Sequence, residues 1–165
     1  MKSKELVDLM LSPQWTGKLL HHFLCGAMKI NPQGIKTELL YLMLPLLVDN
    51  ITRDRIKANI NSTFFTTFVK NSSIEKKDLL KFKRALLYKN DQIKEYKEFT
   101  NRALIYLGNI SEISIGQYTY IESNIKYQDE PANIRGYCRA AYYLGVIFTK
   151  EDYLNIFLKL GITNI

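Results

Sequence analysis

Apolar positions recur every three or four residues through much of the chain, and such a period predicts helix. Over residues 14–28, Trp15, Leu19, Phe23 and Ala27 repeat every four residues, with Leu20 and Leu24 beside them. A shorter helix over residues 4–11 precedes it. Ser12-Pro13 divides the two, because proline removes a backbone donor and breaks a helix interior. Asn31-Pro32-Gln33-Gly34 is a turn by its residue types. Residues 36–48 show a different pattern, with apolar residues running unbroken from Leu39 to Val48. A half-buried strand would alternate, and leucine and methionine favour helix. The segment is expected to be a helix buried on all sides, kinked at Pro45 and ended at Asp49-Asn50. It is half the length of ~20 residues needed to cross a bilayer, and Asp49, Arg53, Asp54 and Arg55 close it. Thr52 would cap the next helix, with Asp54 in its first turn.

Ser72-Ser-Ile-Glu75 is a capping box. It opens a helix to about residue 88 with Leu79, Phe82 and Leu86 inward. Asp91 would cap a helix over 92–107, with Ile93, Tyr96, Phe99, Ala103 and Leu107 inward and Gly108 after its end. Then the period falls to two. "EISIGQYTYIES", residues 112–123, alternates around Gly116-Gln117, which predicts a hairpin with a two-residue turn. Asp129-Glu-Pro131 opens a helix to about Leu144, with Ile134, Cys138, Ala141 and Leu144 inward. Thr149-Lys-Glu-Asp152 starts a last short helix that Gly161 ends. The expected fold is mainly α: one compact helical domain over 1–165 with one β-hairpin. The order helix, helix, hairpin in 74–122 is winged-helix-like. In that motif the helix before the hairpin reads DNA and the hairpin is the wing.

Composition adds a core and a charge. Apolar residues make up 47% of the chain, ample for a packed interior. Cys25 and Cys138 lie far apart among apolar neighbours and are expected as buried free thiols. The start, Met1-Lys-Ser-Lys-Glu, lacks a leader pattern, so a soluble, cytoplasmic protein with no membrane partner is expected. Of the net charge of +7, +6 sits in the middle, where residues 51–100 hold 12 basic and 6 acidic side chains. A basic middle suggests phosphate or an acidic partner. Lys77, Lys81 and Arg84 share one outer stripe of the predicted 72–88 helix. Lys94, Lys97 and Arg102 share the outer face of the next. These six are the candidate nucleic-acid-binding residues. The plain alternative is solvated surface, since Lys, Ile, Asn and Tyr together make 58 of 165 residues, a bias typical of AT-rich genomes.

Catalytic constellations are missing. His21 and His22 are adjacent, so on a helix they point about 100° apart and cannot share one metal. No Cys-x-x-Cys, His-Glu-x-x-His, Asp-x-Asp-x-Asp or Walker-type loop occurs. Cys25 and His21, at i and i+4, are the one pair that could serve as nucleophile and base, and core packing is the plainer role. Tyr118, Tyr120, Tyr127, Tyr137, Tyr142 and Tyr143 could stack on bases, with packing again the plainer role. A non-enzyme without metal, cofactor or small-molecule substrate is expected.

"NPQGIKTELLYLMLPLLVDNITRDRI", residues 31–56, resembles the middle component of three-component ABC ATPase systems. The shared features are Pro32-Gln33-Gly34, then an apolar helix ending Leu44-Pro45-Leu46, then Thr52-Arg53. "LSPQWTGKLLHHFL", residues 11–24, is similar to that family's opening Asn-Pro-Ala-Phe helix, with Ser12 in place of asparagine. "YLGVIFTKEDYLNIFLKLGI", residues 143–162, is similar to its closing pattern, with Gly145 and Gly161 at the matching glycines. The resemblance implies a non-catalytic subunit beside an SMC-like or ABC ATPase and a variable effector, often a nuclease. Lamassu anti-phage and anti-plasmid systems are the best-known group, and DNA would be contacted through the complex. Trp15, Phe148, Phe157 and Leu160, in the apolar terminal blocks, are the candidate partner-binding residues. The alternative is a stand-alone winged-helix DNA-binding regulator, which would self-pair and read DNA through a basic helix.

Overall fold

Ser12 sets the start of the first helix. Its side chain accepts from the Trp15 amide at 3.4 Å, and Pro13 takes the first helical position, where its missing N–H costs nothing. The computed structural model describes residues 10–56, 58–70, 81, 84–85 and 89–163. Residues 4–9 of the expected 4–11 helix and the inner stripe Leu79, Phe82 and Leu86 lie outside these, as does Lys77; Lys81, Arg84 and Ala85 are helical.

Helix α1, Pro13–Ile30, is the central element. From Leu19 to Ala27 every residue is buried, so the protein wraps it on all sides. Its main neighbour is α5, Ala132–Thr149. Trp15 meets Tyr137 and Phe23 meets Phe148, so the two helices run in the same direction. Their backbones touch where each carries a glycine. A Cβ on Gly26 would lie 1.8 Å from the Tyr142 carbonyl oxygen, and one on Gly145 would lie 2.0 Å from that of Phe23. Only hydrogen fits at these two points.

The apolar run does not form one kinked helix. Ile35–Lys36 is a short strand, β1. Thr37–Leu42 is 3-10 helix, and only Met43–Val48, α2, is α-helical. Pro45 therefore falls in the first turn of α2, where an amide has no intrahelical acceptor anyway, and no kink is needed. Burial is as expected: Leu39, Leu40, Leu42, Leu44, Leu46 and Leu47 are all in the core. The next helix, α3 (Asn50–Arg53), is capped by Asp49 rather than Thr52. The Asp49 carboxylate accepts from the Ile51 and Thr52 amides at 2.8 and 3.4 Å. Its other oxygen lies 2.8 Å from the ammonium of Lys89, which is only 1% exposed. One side chain thus ties the end of α2, the start of α3 and the start of the next long helix.

That helix, α4, spans Lys89–Ile110. It begins before Asp91, which sits in its first turn, and passes through Gly108. The Ser111 amide still bonds the Leu107 carbonyl at 2.8 Å. Ile93, Ala103 and Leu107 are buried, with Tyr96 and Phe99 half-buried against the core.

The hairpin is β2, Ile113–Ile115, and β3, Tyr118–Ile121, around Gly116-Gln117. Its last cross-strand pair is Ile115 with Thr119, so the closing loop holds three residues rather than two. Tyr118 is drawn instead to β1, pairing with Lys36. The antiparallel sheet has the order β1-β3-β2, and β1 is the strand that sequence reasoning missed. Gly34 has φ +88°, and a Cβ there would lie 2.0 Å from the Thr119 carbonyl oxygen. Glycine is required for β1 to reach β3. The last helix, α6 (Tyr153–Leu160), is capped by Asp152 and ended by Gly161 in the left-handed conformation. Among the described residues no helix is long and apolar enough to cross a membrane.

Candidate partner and nucleic-acid interfaces

A polar knot ties α1 to the start of α5. Glu130 lies just before α5. It receives the Lys18 ammonium at 2.8 Å on one oxygen and His22 Nε2 at 3.0 Å on the other. Arg135 donates from Nε and Nη2 to the Glu130 main-chain carbonyl at 3.0 and 2.9 Å. Burial alone would raise the Glu130 carboxyl, but the bonds from Lys18 and His22 outweigh it and hold it below the usual range. Burial lowers His22, so its neutral form donates from Nε2. Among the described residues no group pairs with its buried Nδ1.

Cys138 is the third member, and the three ligand-type atoms lie within 4.8 Å of one another. A zinc ion at ~2.0–2.3 Å from each would draw them closer than that, and the Lys18 ammonium already occupies the carboxylate. Burial pushes the Cys138 thiol up to about 11, far from an activated thiolate. No local pattern marks this knot, since Glu130 lies 108 and 112 residues from His22 and Lys18.

His21 and Cys25 do not engage each other. His21 Nε2 bonds the Ser123 carbonyl at 2.8 Å, and Cys25 Sγ approaches the same oxygen at 3.7 Å. Burial raises the Cys25 thiol. Both cysteines are buried and free.

The recurring motif residues close the fold. Thr52 Oγ1 donates to the Leu46 carbonyl at 2.7 Å, and Arg53 Nη1 to that of Leu47 at 2.7 Å. These are carbonyls that the end of α2 leaves unpaired. The Arg53 guanidinium then stacks on Tyr137 at 4.3 Å. Pro32 and Gln33 are exposed in the turn that leads to Gly34.

The surface candidates divide. Lys81, Arg84, Lys94, Lys97 and Arg102 are all exposed. On α4, however, Asp91, Glu95 and Glu98 are exposed as well, so that face is close to neutral. Arg102 pairs with Glu98, and Lys97 lies 5.8 Å from the Tyr41 ring. Phe148, expected as a partner contact, is 0% exposed. It packs in a ring cluster with Phe23, Phe64 and Phe68, so it is a core residue. Leu160 is buried too. Trp15 and Phe157 are half-buried. Leu154 and Leu158 are instead uncovered, 55% and 77% exposed, as are Met10, Phe65, Ile105, Ile110 and Ile115 elsewhere on the surface. The two leucines stand one turn apart on α6, opposite the inward Ile156 and Leu160. The stripe was legible in "YLNIFLKL", a short helix apolar on both sides.

Fold and surface together define a mainly α-helical protein with a small antiparallel sheet and a terminal helix whose outer face is bare. The chain belongs to the family ABC-three component (ABC-3C) system Middle Component 3, whose family model matches residues 2–164. It is therefore a middle component of a multi-subunit ABC-three component system and works with protein partners. Neither a curated protein nor a solved structure matches it.

Proposed function

We propose that this chain is a non-catalytic accessory subunit that docks on the SMC-like or ABC ATPase of a Lamassu-type defence complex against foreign DNA. An effector, often a nuclease, would complete the assembly. The observation that carries the docking surface is the pair Leu154 and Leu158 on α6, exposed on a helix already anchored by Ile156 and Leu160. Phe157 and the Tyr153 ring beside it, 6.1 Å away, extend the patch. Covered by another chain, it would form the centre of an interface of about 1,200–2,000 Å² in total. The locked cysteines and histidines support a non-catalytic role.

The regulator reading has one observation in its favour. A strand after α1 joins the hairpin to make the β1-β3-β2 sheet, as in a winged helix. It also needs a basic reading helix, and α4 exposes three acids beside Lys94, Lys97 and Arg102. DNA contact through the complex would rest on Lys81 and Arg84 as much as on α4.

The test is co-expression with the ATPase of the same system. The ATPase should co-purify through high salt, because apolar burial is not screened as ion pairs are. Leu154→Asp with Leu158→Asp should abolish co-purification, and charge reversal at Lys94 and Lys97 should not. An ATPase that fails to co-purify, or one retained by the double variant, refutes the docking surface.

A further inference from the structure

We propose that the loop before α5 and the adjoining face of α5 form a platform for single-stranded nucleic acid, with bases stacking on Tyr127, Tyr142 and Tyr143 and phosphates meeting Lys29, Lys126 and Arg139. The three rings form one cluster. Their centroids are 5.5, 6.0 and 5.2 Å apart, with interplanar angles of 54°, 58° and 81°. All three are half-buried, so each keeps part of its surface open. They line a cavity of about 600 Å³, within the range of ~300–1,000 Å³ that small-molecule sites occupy.

The cluster is more than core overflow. The interior ring cluster, Phe23, Phe64, Phe68 and Phe148, is entirely phenylalanine and fully covered. The surface cluster is entirely tyrosine, with the Tyr127 and Tyr143 hydroxyls 3.3 Å apart at its rim.

The cavity walls carry the other groups that a nucleotide needs. Asn124 and Gln128 offer exposed side-chain amides, and Lys29 and Lys126 are exposed cations. Beyond the wall, Arg139 is exposed on α5, three and four residues before Tyr142 and Tyr143 and so on the neighbouring turn. Asp129 is the one acid in the wall. From Ala132 to Thr149 α5 has no acidic residue. Arg139 lines a second cleft on α5, of about 510 Å³, with Arg53, Asp54 and Tyr137. A strand leaving the tyrosines would find a cation and a further ring along the helix. Aromatic faces among cations are how proteins hold unpaired strands, since every base has a face to stack. A duplex keeps its bases stacked on one another and cannot offer them to a concave site.

The test is fluorescence anisotropy of the full chain with labelled oligo-thymidine, oligo-uridine and duplex DNA, each of about 15 nucleotides or base pairs. A single strand should bind more tightly than the duplex, and affinity should fall steeply with salt. The thymidine and uridine arms separate DNA from RNA. Tyr142→Ala and Tyr143→Ala should each weaken binding about tenfold or more, whereas Tyr143→Phe should stay within about twofold of the parent. Lys29→Glu with Lys126→Glu, on exposed side chains, should lower both the affinity and the salt slope, and it decides the matter if an alanine variant fails to fold. Leu154→Asp with Leu158→Asp should change nothing here, which separates this site from the ATPase docking surface. No single-strand binding at low salt, or full binding by the lysine pair variant, overturns the proposal. So does Tyr143→Phe losing as much as Tyr143→Ala.

Discussion

Alanine at Gly145 and alanine at Gly136 should have opposite effects, although both lie on α5. A Cβ at 145 would sit 2.0 Å from the Phe23 carbonyl oxygen, 2.9 Å from the Ala27 nitrogen and 3.0 Å from the Phe23 carbonyl carbon. All three are backbone atoms of α1, so no side chain can rotate away. Relief requires α5 to retreat by about 1 Å, and a gap of that size forfeits about a quarter to a half of each dispersion contact across the seam. Overpacking in a core costs about 1–3 kcal/mol where side chains can adjust, and here they cannot. Alanine returns about 1 kcal/mol in helix propensity, leaving a net loss of about 2 kcal/mol or more. At Gly136 a Cβ meets nothing within 4 Å. Only the propensity gain remains, and the variant should be more stable by about 0.4–1 kcal/mol. Denaturant titration of both variants and the parent, with unchanged slope, measures the difference. Gly145→Ala as stable as the parent, or within about 1 kcal/mol of Gly136→Ala, would refute the reasoning that α1 and α5 meet backbone to backbone.

Two further outcomes concern the buried charges. Asp49→Ala should cost about 3–5 kcal/mol, because it leaves the buried Lys89 ammonium without its counter-charge, with the neutral Gln92 oxygen at 2.9 Å still bonded to it; adding Lys89→Met should recover much of the loss, as read by the denaturation midpoint. Stability should also fall on acidification. Burial depresses His21 and His22 in the fold, so the unfolded chain binds their protons first, and stability present above about pH 6.5 is lost as pH drops below it. Glu130, held low by Lys18 and His22 against its own burial, adds a second loss as pH falls below its unfolded value of about 4.5 and through its lower folded one. Denaturation midpoints from pH 7.5 to pH 5 should decline, and His21→Gln with His22→Gln should flatten that decline; an unchanged slope would show that the histidines are not the cause.

Local patterns were legible in the sequence, and long-range ties were not. The four-residue repeat of Trp15, Leu19, Phe23 and Ala27 located α1 because one helix face must be apolar to pack. The alternation around Gly116-Gln117 located the hairpin for the matching reason in a strand. Pro45 misled, since a proline reads as a kink only if the helix began well before it, and here 3-10 geometry ran up to Met43. β1 is two residues long and carries no period to detect. The Glu130 knot and the Asp49–Lys89 tie join residues far apart in the chain, so only the fold brings them together. Phe148 reads as surface from sequence because a sum of apolar residues cannot tell which are covered. The bare side of α6 was within reach, since Leu154 and Leu158 share a helical face that Ile156 and Leu160 leave free.

The glycine seam also governs how force would pass through the molecule. Backbone pressed against backbone leaves α5 no room to slide or roll on α1, so it moves as a strut of about 27 Å at 1.5 Å per residue. One end of that strut is pinned at the Glu130 knot, and the tyrosine cluster rides on its middle. The other feeds through Lys150–Asp152 directly into α6 and its bare leucines. A push on α6 would therefore reach α1 through the Gly145 contact.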